Sequence, residues 1–256
     1  MIFKPGKCAF IPYLMAGDPD METTALLLEA MAQAGADAIE LGIPYGDPLA
    51  DGPTIAAAGV RALANGTTIA GVLDAVRATR TPGAPPVILF TYFNPIYRYG
   101  IERFAHDAAQ AGAYGAIVPD VALEEVEPLR AALEREGLVL PLLVAPSTPS
   151  DRAARIAQAT GGFVYVVSRL GVTGAGAAPD FRPLHDHIAK LREVTEKPLA
   201  VGFGISTPEH VREVSGIVDG VIVGSAIIDA YAGYRGEEAA SRAAAYVRTL
   251  TGAAVV

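Results

Sequence analysis

Short runs of consecutive apolar residues alternate with amphipathic stretches along the chain. The first run, Ala9–Met15 (AFIPYLM), stops at Ala16-Gly17-Asp18-Pro19, residues that favour a turn over a continuing strand. Across Glu22–Ala34 apolar residues gather on one side of a helix, and Gly35 closes it as a C-terminal cap. The same reading predicts strands at Asp37–Leu41, Pro86–Tyr92, Ala116–Val118, Leu138–Val144, Phe163–Val167, Leu199–Gly202 and Val218–Val223. Helices are predicted over Thr54–Ala64, Thr68–Thr79, Ile101–Ala111, Leu123–Glu136, Ser150–Ala159, Phe181–Thr195, Pro208–Val214 and Glu237–Leu250. Asn94-Pro95 is expected to turn the chain after the third strand, and Gly224-Ser225 to introduce a short helix after the eighth.

Strands that are apolar throughout, rather than alternating, belong to parallel sheets covered on both faces. Eight strand–helix units favour closure, so the expected fold is α/β, a (β/α)8 TIM barrel with extra short helices in its βα loops. A repeated junction, Met31–Asp37 (MAQAGAD) against Ala108–Tyr114 (AAQAGAY), fits repeated units. No linker or charge block divides the chain, and 1–256 is read as a single domain.

Composition removes several classes. A net charge of −8 with no Lys/Arg run argues against a nucleic-acid surface. Cys8 is the only cysteine, which rules out a disulfide framework and a thiolate metal site. Lys4-Pro5-Gly6-Lys7 interrupts any signal-like apolar run, and no segment has the length of a membrane span. The expected location is the cytoplasm.

The chemistry concentrates in Glu40–Pro53, ELGIPYGDPLADGP. Glu40 is a carboxylate inside an apolar strand, where it must find partners or have its pKa pushed up. Asp51 follows eleven residues on, just ahead of a helix. If the loop folds back, two acids of different environment share one cavity, one able to transfer a proton while the other stays ionised. The alternative is a core Glu and a helix-capping Asp, and these residues alone leave both open. Barrel chemistry sits where strands end, which also selects Tyr165, Tyr92 and three glycine clusters. These are Gly171–Gly176, Gly202–Ser206 with Gly204 at its centre, and Gly224-Ser225. Loops after strands seven and eight are the common phosphate site of such barrels. His185 and His187, two apart on a helix, make a poor metal pair, and His106 and His210 stand alone. No metal site is expected.

From about Ala9 onward the chain resembles the tryptophan synthase α subunit family. The matching motifs are FIPYLMAGDP (Phe10–Pro19), ELGIPYGDPLADGP, TYFNPIYRYG (Thr91–Gly100), APSTPSDR (Ala145–Arg152), YVVSRLGVTGA (Tyr165–Ala175), GFGIS and GSAI (Gly224–Ile227). The resemblance implies cleavage of indole-3-glycerol phosphate to indole and glyceraldehyde 3-phosphate. It places the catalytic acids on Glu40 and Asp51 and a substrate-side tyrosine on Tyr165. Phosphate-binding backbone falls on Gly174, Gly204, Gly224 and Ser225. A β subunit carrying pyridoxal phosphate is implied as partner, in an α2β2 assembly, with no cofactor on this chain. The loop Arg169–Ala178 looks like a lid, with Thr173 placed to orient Asp51 on closure. The apolar strand ends Phe10–Tyr13 and Phe90–Tyr92 are expected to form the indole pocket, and the aromatic stretch Tyr92–Gly100 to face the partner.

Three departures stand out: Gly46 replaces a hydroxyl residue, Ala122 replaces a proline, and Met1–Lys7 leaves little room for a helix before the first strand. Competing readings are a free-standing indole-3-glycerol-phosphate lyase, a phosphate-sugar isomerase or synthase on a similar barrel, and a non-catalytic regulatory partner. The second acid argues against the isomerase, and the intact pair against the regulatory barrel.

Overall fold

The computed structural model describes residues 2–168, 181–202 and 204–252. Eight parallel strands run in the order β4-β3-β2-β1-β8-β7-β6-β5. They are β1 (Ala9–Met15), β2 (Ile39–Gly42), β3 (Val87–Phe90), β4 (Gly115–Ile117), β5 (Leu142–Val144), β6 (Val164–Val167), β7 (Leu199–Gly202) and β8 (Gly220–Val223). The remaining gap closes through a parallel bridge between Gly115 and Val139, just upstream of β5. A side chain at 115 would run into the Val139 carbonyl, so glycine is what permits the approach. Pro141 offers no N–H, which is why the fifth strand begins at Leu142 and not at Leu138.

Helices cover the outside, as the apolar strands require. They are α1 (Met21–Gln33), α2 (Pro53–Ala64), α3 (Ile69–Ala78), α4 (Phe93–Tyr99), α5 (Ile101–Ala111), α6 (Glu127–Arg135), α7 (Ser150–Ala159), α8 (Arg182–Arg192), α9 (Pro208–Ser215), α10 (Ser225–Tyr231) and α11 (Gly236–Thr251). Local chemistry sets their ends: Asp20 and Thr68 accept backbone N–H bonds at the starts of α1 and α3, and Gly112 ends α5 in the left-handed region.

Two expectations are corrected. Asn94-Pro95 does not turn the chain; it lies in the first turn of α4, where a missing N–H costs no helical bond. The helix predicted from Leu123 starts only at Glu127, with Pro128 in its first turn and Ala122–Glu125 forming a separate turn. At the strand N-termini Ile2 is buried, and the Phe3 ring lies 5.3 Å from that of Phe163 and against Gly220. These two residues pack at the N-terminal end of the barrel.

Candidate active site

Register builds the site. Glu40 stands opposite Tyr13 on one side and Ile88 on the other, and residues opposed in register share a face of the sheet. Glu40 is 1% exposed, and its Oε2 has no hydrogen-bond partner. Burial, with Asp51 adding to it, pushes its carboxyl up to about 8. At neutral pH Glu40 therefore rests protonated, with a proton to give.

Asp51 occupies a different setting. The loop after β2 folds back so that the Tyr92 hydroxyl donates to Asp51 Oδ1 at 2.7 Å and accepts from the Ala50 N–H at 3.0 Å. One phenol thus ties the acid to its own loop backbone. Burial raises the Asp51 carboxyl above its usual 3.8, and the Tyr92 hydrogen bond offsets only part of that rise. Tyr92, expected to touch substrate, is here hydrogen-bonded to the second acid.

Aromatic rings line one wall. Tyr13 meets Phe90 edge-on at 5.8 Å, Phe90 meets Tyr92 edge-on at 6.4 Å, and Tyr45 lies 5.4 Å from Tyr92. This bears on the expected apolar wall, with one change: Phe10, opposite Val221 near the start of β1, takes no part in that run of rings. Tyr45 was missed, although it sits within ELGIPYGDPLADGP between the two acids. Tyr165 is buried in β6, and its phenol is held well above the usual range by burial and by the charges of Glu40 and Asp51. Burial acts likewise on Tyr13, with Asp51 and Glu40 again contributing. The four groups therefore share one neighbourhood.

The glycines carry specific space. A side chain at Gly42 would overlap the Tyr13 hydroxyl, and one at Gly202 the Tyr165 hydroxyl. Gly204 has φ +79°, a conformation other residues rarely adopt. Gly224 precedes α10, whose first N–H groups have no acceptor within the helix. Thr173 and Gly174, with the rest of the expected lid, lie outside the described residues. Gly46 faces nearly open space, so the missing hydroxyl removes no packing. Among the described residues no group of three His, Cys, Asp or Glu could hold a metal ion, and no helix is long and apolar enough to cross a membrane. A hollow of about 430 Å³ between α1, α3 and residues 79–85 includes Ile39 and Val87, at the start of β2 and β3, and gathers no acid but Glu29.

The family model described as tryptophan synthase alpha chain matches residues 2–254. The chain belongs to that family. The alpha chain of Prochlorococcus marinus is 53% identical over 87% of this chain and 81% of its own length. That of Gloeobacter violaceus is 49% identical over 95% and 88%. Among solved structures, tryptophan synthase from Mycobacterium tuberculosis superposes with TM-score 0.89 at 35% identity, covering 98% of this chain and 94% of that one. The tryptophan synthase complex from Pyrococcus furiosus gives 0.85 at 36% identity, covering 98% and 99%. This tryptophan synthase alpha chain relative is thus a lyase of tryptophan biosynthesis built on the predicted barrel.

Proposed function

We propose that Glu40 and Asp51 carry the retro-aldol cleavage of indole-3-glycerol phosphate to indole and glyceraldehyde 3-phosphate. The observation that supports this most is the divergence of the two acids: a wholly buried carboxyl pushed up to about 8 beside a less buried one aimed by Tyr92. Cleavage requires indole C3 to become tetrahedral, and Glu40 delivers that proton. Positive charge then develops on the indole nitrogen, and ionised Asp51 accepts its N–H, a contact stronger in the transition state than before it. Glu40, now a carboxylate, takes the proton of the glycerol hydroxyl as its carbonyl forms and the carbon–carbon bond breaks. Both acids end as they began.

Tyr165 stands on the substrate side of Glu40. Backbone at Gly204, Gly224 and Ser225, with Gly174 from the loop outside the described residues, holds the phosphate and fixes the reacting bond. No cofactor is assigned to this chain; pyridoxal phosphate belongs to a β subunit, with which the chain forms an α2β2 assembly in the cytoplasm. Exposed apolar side chains support that docking: Leu49 on the acid loop (79% exposed), Val60 and Leu63 on α2, and Tyr97 on α4. Docking that favours the reactive form of the site raises turnover without adding a catalytic group; Thr173, the residue expected to orient Asp51, lies outside the described residues.

The test is indole release from indole-3-glycerol phosphate by the purified chain, alone and titrated with β subunit. Native protein should be slow alone and accelerate with partner. Asp51→Asn should be nearly inactive in both conditions. A native rate already fast and flat across the titration would make the chain a free-standing lyase.

A further inference from the structure

Tyr13 enters the reaction above only as part of an aromatic wall, yet its position asks more of it. It is 4% exposed. Two glycines define how the side chain lies. A Cβ at Gly224 would come within 3.3 Å of the Tyr13 Cβ, so the base of the side chain rests on the backbone assigned to the phosphate. A Cβ at Gly42 would overlap the hydroxyl, so the tip reaches the last residue of β2, two beyond Glu40. The ring thus spans from the phosphate cradle to the catalytic carboxyl, and the edge-on Phe90 ring holds it there. A glycerol chain joining a phosphate to an indole C3 must cover the same path. At its reacting end the Tyr13 hydroxyl lies in the neighbourhood of Glu40, whose Oε2 is buried without a hydrogen-bond partner. Buried polar groups demand partners, and an unpartnered carboxyl oxygen with a phenol hydroxyl close by points to a ligand group able to accept from one and donate to the other.

We propose that Tyr13 is a substrate-positioning residue whose hydroxyl donates to the oxygen of the glycerol hydroxyl next to indole C3, turning that hydroxyl's own proton toward Glu40 Oε2. The inference rests on the lyase reading and adds a determinant of substrate choice to it. The phenol keeps its proton throughout; the proton that moves is the substrate's, passing to Glu40 as the C–O bond becomes a carbonyl and the C3–carbon bond breaks. A Tyr13-containing site thereby discriminates for a hydroxyl on the carbon next to the ring. Phosphate esters of indolyl-alkanes lacking that hydroxyl leave Glu40 Oε2 unpaired and give the Tyr13 hydroxyl nothing to donate to.

The test uses Tyr13→Phe, which keeps the ring and its Phe90 contact, in the full chain with β subunit present. kcat/KM for indole-3-glycerol phosphate should fall roughly tenfold, the scale of one lost hydrogen bond. Binding of indolepropanol phosphate, which lacks the hydroxyl, should be the same in native and variant proteins. Gly42→Ala, which displaces the hydroxyl, should produce a similar loss, and adding it to Tyr13→Phe should cost little more, because its target is already gone. Thermal melts identify any variant that has merely unfolded. Unchanged kcat/KM in a folded Tyr13→Phe protein, or equal weakening of indolepropanol phosphate and the native substrate, overturns the assignment while leaving the lyase reading standing. A native protein that releases no indole at all removes both.

Discussion

Glu40→Gln separates the stability and catalytic consequences of burying a carboxyl. The unfolded chain titrates Glu40 near the ordinary 4.5, whereas the folded protein holds it at about 8. Between those values the native state binds a proton that the unfolded state has released, so stability falls as pH rises. The contribution is fully present below about pH 4.5 and is lost through pH 8. Each unit of separation corresponds to about 1.4 kcal/mol. The interval from 4.5 to about 8 therefore gives the neutral glutamine a relative advantage of about 5 kcal/mol at alkaline pH, with near equality at pH 4 to 5. Urea denaturation followed by far-UV circular dichroism, at each pH from 5 to 9 and constant ionic strength, measures it. The native midpoint should drop away from that of Glu40→Gln as pH rises. Parallel midpoints across the whole range would mean that Glu40 is not held protonated, and the proposed acid role would go with it. The kinetic counterpart has the same sign: native kcat/KM should decline above about pH 8, where Glu40 no longer carries the proton for C3. In Glu40→Gln, turnover should fall at least ~100-fold at every pH.

Other outcomes follow from single contacts. Tyr92→Phe removes the bond to Asp51 and the acceptor for Ala50, so kcat should drop about tenfold with little change in melting temperature; a normal rate would separate Tyr92 from the aim of Asp51. Arg61 grips buried Asp18 through two hydrogen bonds of 2.7 and 2.8 Å, and Arg61→Ala, which strands that carboxylate, should cost about 2–3 kcal/mol in urea unfolding. Gly204→Ala, at φ +79°, should raise KM and weaken competition by inorganic phosphate, and unaltered inhibition would move the anion elsewhere.

How much of this could be read in the chain depends on which interactions are local. Apolar runs and glycine stops located all eight strands, because a strand covered on both faces has no other composition available to it. Errors came where proline had two meanings: Pro95 and Pro128 lie in first turns of helices, and Pro141 delays a strand. The two acids stood out because a carboxylate in an apolar run and a second acid in a glycine–proline loop are both locally anomalous. Tyr92 was selected only as a strand-end residue, and its part in differentiating them was not visible. Tyr92 lies 41 residues from Asp51, and only the return of the loop over β3 brings its hydroxyl there. Tyr13 was hidden for another reason: in sequence it is one aromatic among apolar neighbours, and its polarity matters only once Gly42 is seen beneath its hydroxyl.

The two carboxyls owe their different behaviour to strand geometry more than to their immediate neighbours. Glu40 is part of the sheet, so its backbone is committed to ladders with β1 and β3, and its side chain has no freedom to reach solvent. Such a group can lower its electrostatic cost only by keeping its proton or by receiving a partner that arrives with substrate. Asp51 belongs to a loop that can yield, and a phenol from the next strand supplies the donor that keeps its charge tolerable. Reversing the roles would fail on both counts. A loop acid left protonated could not receive the indole N–H as an anion, and a sheet acid left ionised would carry unpaired charge in the core. In the proposed reaction the order of the residues therefore constrains the chemistry: acid–base work falls to the strand, charge stabilisation to the loop. Moving the proton donor to position 51, by combining Glu40→Gln with any acid there, should not restore turnover, because a loop carboxyl tied to the Tyr92 hydroxyl does not stand where the strand carboxyl stands.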